Sequence, residues 1–257
     1  MSVLSIRGAS LAFGDRTLWS GLDLDVAAGE FVAVLGPNGT GKTSLLKAIL
    51  GQQALTSGEV ELLGRPARRG NPSVGYVPQQ KLLASGTPLR ARDLVALGVD
   101  GDRWGPPISS KATKEKVDEL LHAVGATDYA NAPVATLSGG EQQRVRIAQA
   151  IASDPALLLC DEPLLSLDLA HQRSVSELID EQRRRLTTAV LFVTHDVNPV
   201  LGMVDRVLYL AGGRFTIGTP GEVLRSEVLS ELYGTPVDVF ESRGRIVVVG
   251  GGDEEHH

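Results

Sequence analysis

An α/β fold with a mostly parallel sheet is predicted by three features of this 257-residue sequence. The runs at 31–35 (FVAVL), 156–160 (ALLLC) and 190–194 (VLFVT) are almost wholly apolar, as strands buried on both faces of a parallel sheet are. Earlier segments, "LSIRGASLAF", "LDLDVAAG" and "GEVELLG", alternate in polarity and predict an antiparallel N-terminal β layer. From about residue 86 to 152 the pattern turns helical, in "ARDLVALG", "KEKVDELLHAVGA" and a long stretch after residue 138.

That helical stretch is expected to be a subdomain inserted in the α/β core of one domain spanning 1–235. "GDRWGPPISS" (101–110), rich in Gly, Pro and Ser, reads as a loop within it. "VDVFESRGRIVVVG" predicts a β-hairpin turning around Gly244, an extension at 236–250. Residues 251–257 form a flexible tail in this expectation, and no internal repeat is visible.

Bulk properties exclude several classes. The hydrophobic fraction of 42% is that of an ordinary globular chain. A net charge of −6 gives no footprint for nucleic acid, and the one dense basic cluster, Arg183–Arg185, reads as a solvated helix face. The single Cys160 lies in an apolar run, so no disulfide framework exists and a reducing compartment is expected. "MSVLSIRGAS" has no charged region followed by an apolar one, so no secretory signal is expected. No apolar run approaches the roughly 18 residues that would span a bilayer.

Chemistry enters at "GPNGTGKT", residues 36–43, which fits G-x-x-x-x-G-K-[ST] between a strand and the helical "SLLKAIL". Gly36, Gly39 and Gly41 allow positive φ, so that backbone N–H groups of Gly36, Pro37–Ser44 can approach phosphate oxygens, Pro37 excepted. The helix N-terminus adds partial positive charge. Lys42 can neutralise charge on β- and γ-phosphates, and Thr43 can offer a hydroxyl to Mg²⁺. Asn38, Thr40 and Ser44 complete the loop. A glycine-rich turn that binds nothing is the bland alternative, and the strand–loop–helix context argues against it.

The second element, "ALLLCDEP" at 156–163, is an apolar strand ending in two carboxylates. Asp161 can hold Mg²⁺, directly or through water. Glu162, one residue on and so on the opposite side, can orient or deprotonate an attacking water. Adjacent acids could instead cap the next helix. There is no guanine-reading "NKxD", and the pair favours hydrolysis over transfer.

Between these elements lies "LSGGEQQRVRIAQAIASDP" (137–155). With it the chain resembles the nucleotide-binding subunits of ABC transporters, a resemblance extending from about residue 3 to 235. The resemblance implies a P-loop NTPase fold of the ABC ATPase type, with a RecA-like core. It makes Ser138, Gly139, Gly140 and Glu141 the signature that closes on ATP bound by a second copy, in a head-to-tail dimer. It further implies that Gln79, in "VGYVPQQ", senses Mg²⁺ and the water, with Gln80 the lesser choice. Asp168, in "SLD", would cross the dimer interface, and His195, in "LFVTHD", would reach the γ-phosphate. Phe13 stands where an aromatic stacks on adenine, unless it simply packs in the core. Glu141 for the commoner Gln, and Thr40 for Ala or Ser, are mild departures.

The resemblance also implies a multi-span permease as partner, an extracytoplasmic solute-binding protein acting indirectly, and a place on the cytoplasmic face of the inner membrane. "KLLASGTPLRARDLVALG" (81–98) would line the permease-docking groove, with Pro88, Asp93 and Gly98 matching importers. Its bland alternative is packing within the subunit. The chain is expected to lack the C-terminal regulatory domain typical of sugar-import ATPases, and "GPNGTGKTSLLKAILG", "THDVNPVL" and the ending "TPVDVFESRGRIVVVGGG" are similar to zinc- and manganese-import ATPases. Iron-chelate importers and iron–sulfur assembly ATPases are the alternatives. His256 and His257 suit transition metals, but equally a tag remnant, and no metal site is placed there.

Overall fold

The structure, a computed structural model, describes residues 2–79, 89–100, 110–165 and 167–250. Gln80, Pro88, Ser166, the loop residues 101–109 and the tail with His256 and His257 lie outside the described residues. In chain order the elements begin β1 (Ser2–Phe13), β2 (Arg16–Ala27), β3 (Phe31–Leu35), α1 (Lys42–Ile49), β4 (Ser57–Leu62), β5 (Arg65–Pro66) and β6 (Val74–Val77). Next come α2 (Ala91–Asp100), α3 (Lys111–Ala123), α4 (Gly139–Ile151), β7 (Leu157–Asp161), α5 (Leu169–Leu186) and β8 (Ala189–Val193). Then follow β9 (Arg206–Ala211), β10 (Arg214–Gly218), α6 (Pro220–Val223), α7 (Ser226–Tyr233), β11 (Val237–Ser242) and β12 (Arg245–Gly250).

The chain divides into two compact units, one of residues up to 69 with 191 onward, the other of residues 70–190. In the first unit β1 pairs antiparallel with both β2 and β4, giving the order β2-β1-β4-β5. Polarity alternates as the sequence predicts: Leu22, Leu24 and Val26 are buried while Asp23 and Asp25 face out. Strand β3 is buried throughout and runs parallel to β9, with Leu35 opposite Tyr209. The Asp205 carboxylate accepts a 2.8 Å hydrogen bond from the Phe31 backbone N–H, fixing where β3 starts. Strands β11 and β12 form the expected hairpin. Its turn residues Arg243 and Gly244 both have positive φ, as a two-residue turn matched to strand twist requires.

In the second unit β6 runs parallel to β7, with Val77 opposite Cys160. Helix α4 lies so close to β6 that a Cβ on Gly75 would sit 2.2 Å from the Ala150 carbonyl oxygen. Gly98 permits the same close approach of α2 to α4, since its Cβ would meet the Gln149 carbonyl oxygen at 2.2 Å. Asp93 accepts the Arg90 backbone N–H at the start of α2. Both residues thus have packing or capping duties inside the unit. The Arg183–Arg185 cluster departs from a fully solvated face, because Arg183 and Asp180 pair at 2.8 Å and are both largely buried. Arg184 does stay in solvent and shares the same carboxylate.

Candidate active site

In the first unit, the exit of β3 is the focus. Gly36 has φ 134°, and a Cβ there would lie 2.0 Å from the Leu210 carbonyl oxygen on β9, so no other residue fits. Gly41 has φ 95° and caps α1, packed on buried Trp19, whose Nε1 would be 2.8 Å from an added Cβ. Helix α1 has no side-chain cap and no acid in its first turn. The N–H groups of its first residues, Lys42, Thr43 and Ser44 among them, are thereby oriented for an anion.

Lys42 is buried, and its Nζ donates to the carbonyl oxygens of Gly36 at 2.6 Å and Pro37 at 2.9 Å. Those bonds fold the ammonium back over its own loop. Thr40 donates its hydroxyl to the Pro37 carbonyl, and Arg16 donates to the Gly39 carbonyl at 3.0 Å. Asn38 and Gly39 are exposed at the loop's crest. Phe13, at the end of β1, is 50% exposed, so core packing does not account for it. It stands directly across the ladder from Arg16. His195 follows β8, where the Thr194 backbone N–H donates to the Val34 carbonyl. That bond brings the exposed His195 to the same edge as the phosphate loop.

In the second unit, β6 and β7 run in parallel and deliver Gln79, Asp161 and Glu162 at one end. Strand β7 reaches Asp161, one residue beyond the predicted run. Glu162 therefore does not continue the strand's alternation: its φ of 47° is left-handed. Glu162 lies past the end of β7, so strand pleat does not set its direction. A left-handed turn, rare for a residue with a Cβ, sets its direction instead. Asp161 is buried, and the Tyr76 hydroxyl donates to it at 3.4 Å. Burial, and then the Asp161 charge, push the Tyr76 hydroxyl up to about 12.

The signature begins α4. Ser138 is its N-cap in a closed capping box: its Oγ accepts from the Glu141 N–H at 3.3 Å. Glu141 Oε2 in turn accepts from the Ser138 N–H at 2.8 Å and its hydroxyl at 2.7 Å. These bonds, the hydroxyl's first, hold the Glu141 carboxyl below its ordinary value. Gly139 and Gly140 form the first turn. A Cβ on Gly140 would meet His171 Cδ2 at 2.7 Å. Asp168 caps α5, taking the His171 N–H at 2.9 Å and His171 Nδ1 at 2.8 Å. Those bonds lower the Asp168 carboxyl as well.

His171 and Trp19 were not singled out from sequence. A signal for the first exists in its position three residues after a capping Asp. Trp19 gives none, because only the fold brings it under Gly41.

The pattern of the family described as ABC transporter matches residues 19–165, more than half of the chain. The chain belongs to this family. As an ABC ATPase it is the ATP-binding, ATP-hydrolysing component of a transporter.

A zinc import ATP-binding protein of Roseobacter denitrificans is 34% identical over 91% of this chain and 86% of that protein. A hemin import ATP-binding protein of Rhodopseudomonas palustris is 36% identical over 92% and 90%. This ABC ATPase spans about half the length of a similar spermidine/putrescine import ATP-binding protein of Bacteroides fragilis, which is 35% identical over 93% of this chain. Among solved structures, one described as a metal-chelate type ABC transporter in an inward-facing conformation aligns with a TM-score of 0.82. It is 28% identical and covers 98% of this chain and 99% of that one. Among the described residues of this ABC ATPase, no helix is long and apolar enough to cross a membrane.

Proposed function

We propose that this ABC ATPase energises import of a transition-metal ion, zinc or manganese, through a multi-span permease at the cytoplasmic face of the inner membrane. The observation that carries the ATP-driven part is the uncapped start of α1 with Lys42 folded onto its loop. The similarity to the zinc import protein supports the substrate. A second reading, import of an iron chelate, is favoured by the similarity to the hemin importer and to the metal-chelate type structure. An extracytoplasmic solute-binding protein would deliver the cargo in either case.

In this proposal two copies pair around two ATP molecules, each nucleotide held by one copy's phosphate loop and the other copy's Ser138, Gly139 and Gly140. Phe13 stacks on adenine. Lys42 exchanges its loop carbonyls for β- and γ-phosphate oxygens, a charge-assisted replacement for neutral bonds. Thr43, Gln79 and Asp161 offer hydroxyl, amide and carboxylate oxygens, a donor set that suits Mg²⁺. When bound there, Mg²⁺ supplies charge neutralisation on the phosphates. Glu162 orients the attacking water, and His195 contacts the γ-phosphate. Lys42 and the start of α1 stabilise the charge that develops. ATP drives pairing because it binds the closed dimer better than the open one; equal affinity would shift nothing.

Uptake tests the substrate. Cells lacking this chain should lose accumulation of zinc or manganese and regain it with the native chain but not with Lys42→Ala. Lost uptake of an iron chelate with intact zinc and manganese uptake would select the second reading. Co-purification with a soluble partner in place of a multi-span membrane protein would overturn both.

A further inference from the structure

We infer that His171 is a positioning residue that locks the interface acid Asp168 to the signature helix, so that the two meet a partner copy as one piece. This rests on the proposed dimer, and three contacts carry it. Both Asp168 carboxylate oxygens are taken by the same residue, one by the His171 backbone N–H at 2.9 Å and one by its Nδ1 at 2.8 Å. Because an ionised carboxylate only accepts, Nδ1 carries the hydrogen and the ring's orientation is fixed. The other side of that ring lies on Gly140, close enough that a Cβ there would stand 2.7 Å from Cδ2. One imidazole thus joins the cap of α5 to the first turn of α4.

Neither contact alone would couple the two elements. The capping bond would hold Asp168 with any residue but proline at position 171, since it uses the backbone N–H. Only the side chain reaches both the carboxylate and Gly140. A side chain at the signature's second glycine would have to displace this ring, independently of any approach by phosphate. Its side chain is about half exposed at 49%, so the link sits at the surface a partner would meet.

The inference is tested in the full-length chain carrying Glu162→Gln, a substitution expected to arrest hydrolysis so that ATP-driven pairing can be followed by analytical ultracentrifugation. His171→Ala should weaken that pairing about 10-fold, the size expected for loss of one positioning contact. In the otherwise native chain the same substitution should lower kcat at saturating ATP by a similar factor while leaving ATP affinity of the monomer unchanged. His171→Phe keeps a ring on Gly140 without the bond to Asp168. His171→Asn keeps a donor for Asp168 without the ring. Each should show a partial loss, and a thermal midpoint near the native value marks a folded variant. Native-like pairing and kcat in all three variants overturns the inference, as does an equal fall in monomer ATP affinity. If the Glu162→Gln chain with native His171 fails to pair, the dimer itself is wrong and the inference falls with it.

Discussion

Helix α1 begins at Gly41 with no side-chain cap and no acid in its first turn, whereas α4 begins at Ser138 inside a capping box closed by Glu141. Both starts are glycine-rich, and both present backbone N–H groups that an anion can use. The first has no side-chain cap of its own, and it keeps its own cation close by, with Lys42 bound to the Gly36 and Pro37 carbonyls. The second has already satisfied its serine with a carboxylate on the same helix. Order of binding follows from this difference. At α1 phosphate would replace the Lys42 bonds to the Gly36 and Pro37 carbonyls, whereas at α4 it must compete with a carboxylate.

Three substitutions break or sharpen that contrast. Replacing Lys42 by Ala should cut ATP affinity of the isolated chain about 100-fold, since a buried charge-assisted bond to phosphate is lost. Isothermal titration measures it, and unchanged affinity would mean that the loop does not hold the nucleotide. Ser138→Arg should leave that affinity intact while hydrolysis falls about 100-fold, the scale of losing one donor to developing charge. A collapse of binding instead would show the signature serving its own copy's nucleotide. Glu141→Gln is the mildest. It removes the competing charge but keeps a capping acceptor, so ATP-driven pairing should tighten a few-fold with monomer affinity unchanged. It should also flatten the acid side of the stability curve. A carboxyl held below its ordinary value stabilises the fold above that value and loses its contribution as pH falls through the lowered one. Thermal midpoints between neutral pH and pH 3 compare the two chains.

Much of this was legible in the residues. The buried run FVAVL became β3 at its expected bounds, and the alternation in "LDLDV" became the half-buried β2. Gly244 turns the hairpin as its sequence indicates, because a two-residue turn has few solutions. What escaped was set by local backbone turns and by contacts between segments distant in the chain. Glu162 takes a left-handed turn that strand alternation cannot anticipate. Gly36 reads as a source of backbone freedom and Gly140 as part of the signature, yet each also packs against a neighbour from elsewhere: Leu210 on β9 for one, His171 on α5 for the other. Glu141 looked like a tolerated variant of glutamine, and only its bonds to Ser138 reveal a charge placed on the signature's own donor.

Sedimentation of the Glu162→Gln chain with and without Mg²⁺ and ATP tests the central claim most directly. A monomer that becomes a dimer only with ATP, and stays monomeric when Ser138→Arg is added despite bound nucleotide, is the predicted result. A chain that remains monomeric with its phosphate loop saturated by ATP would contradict it.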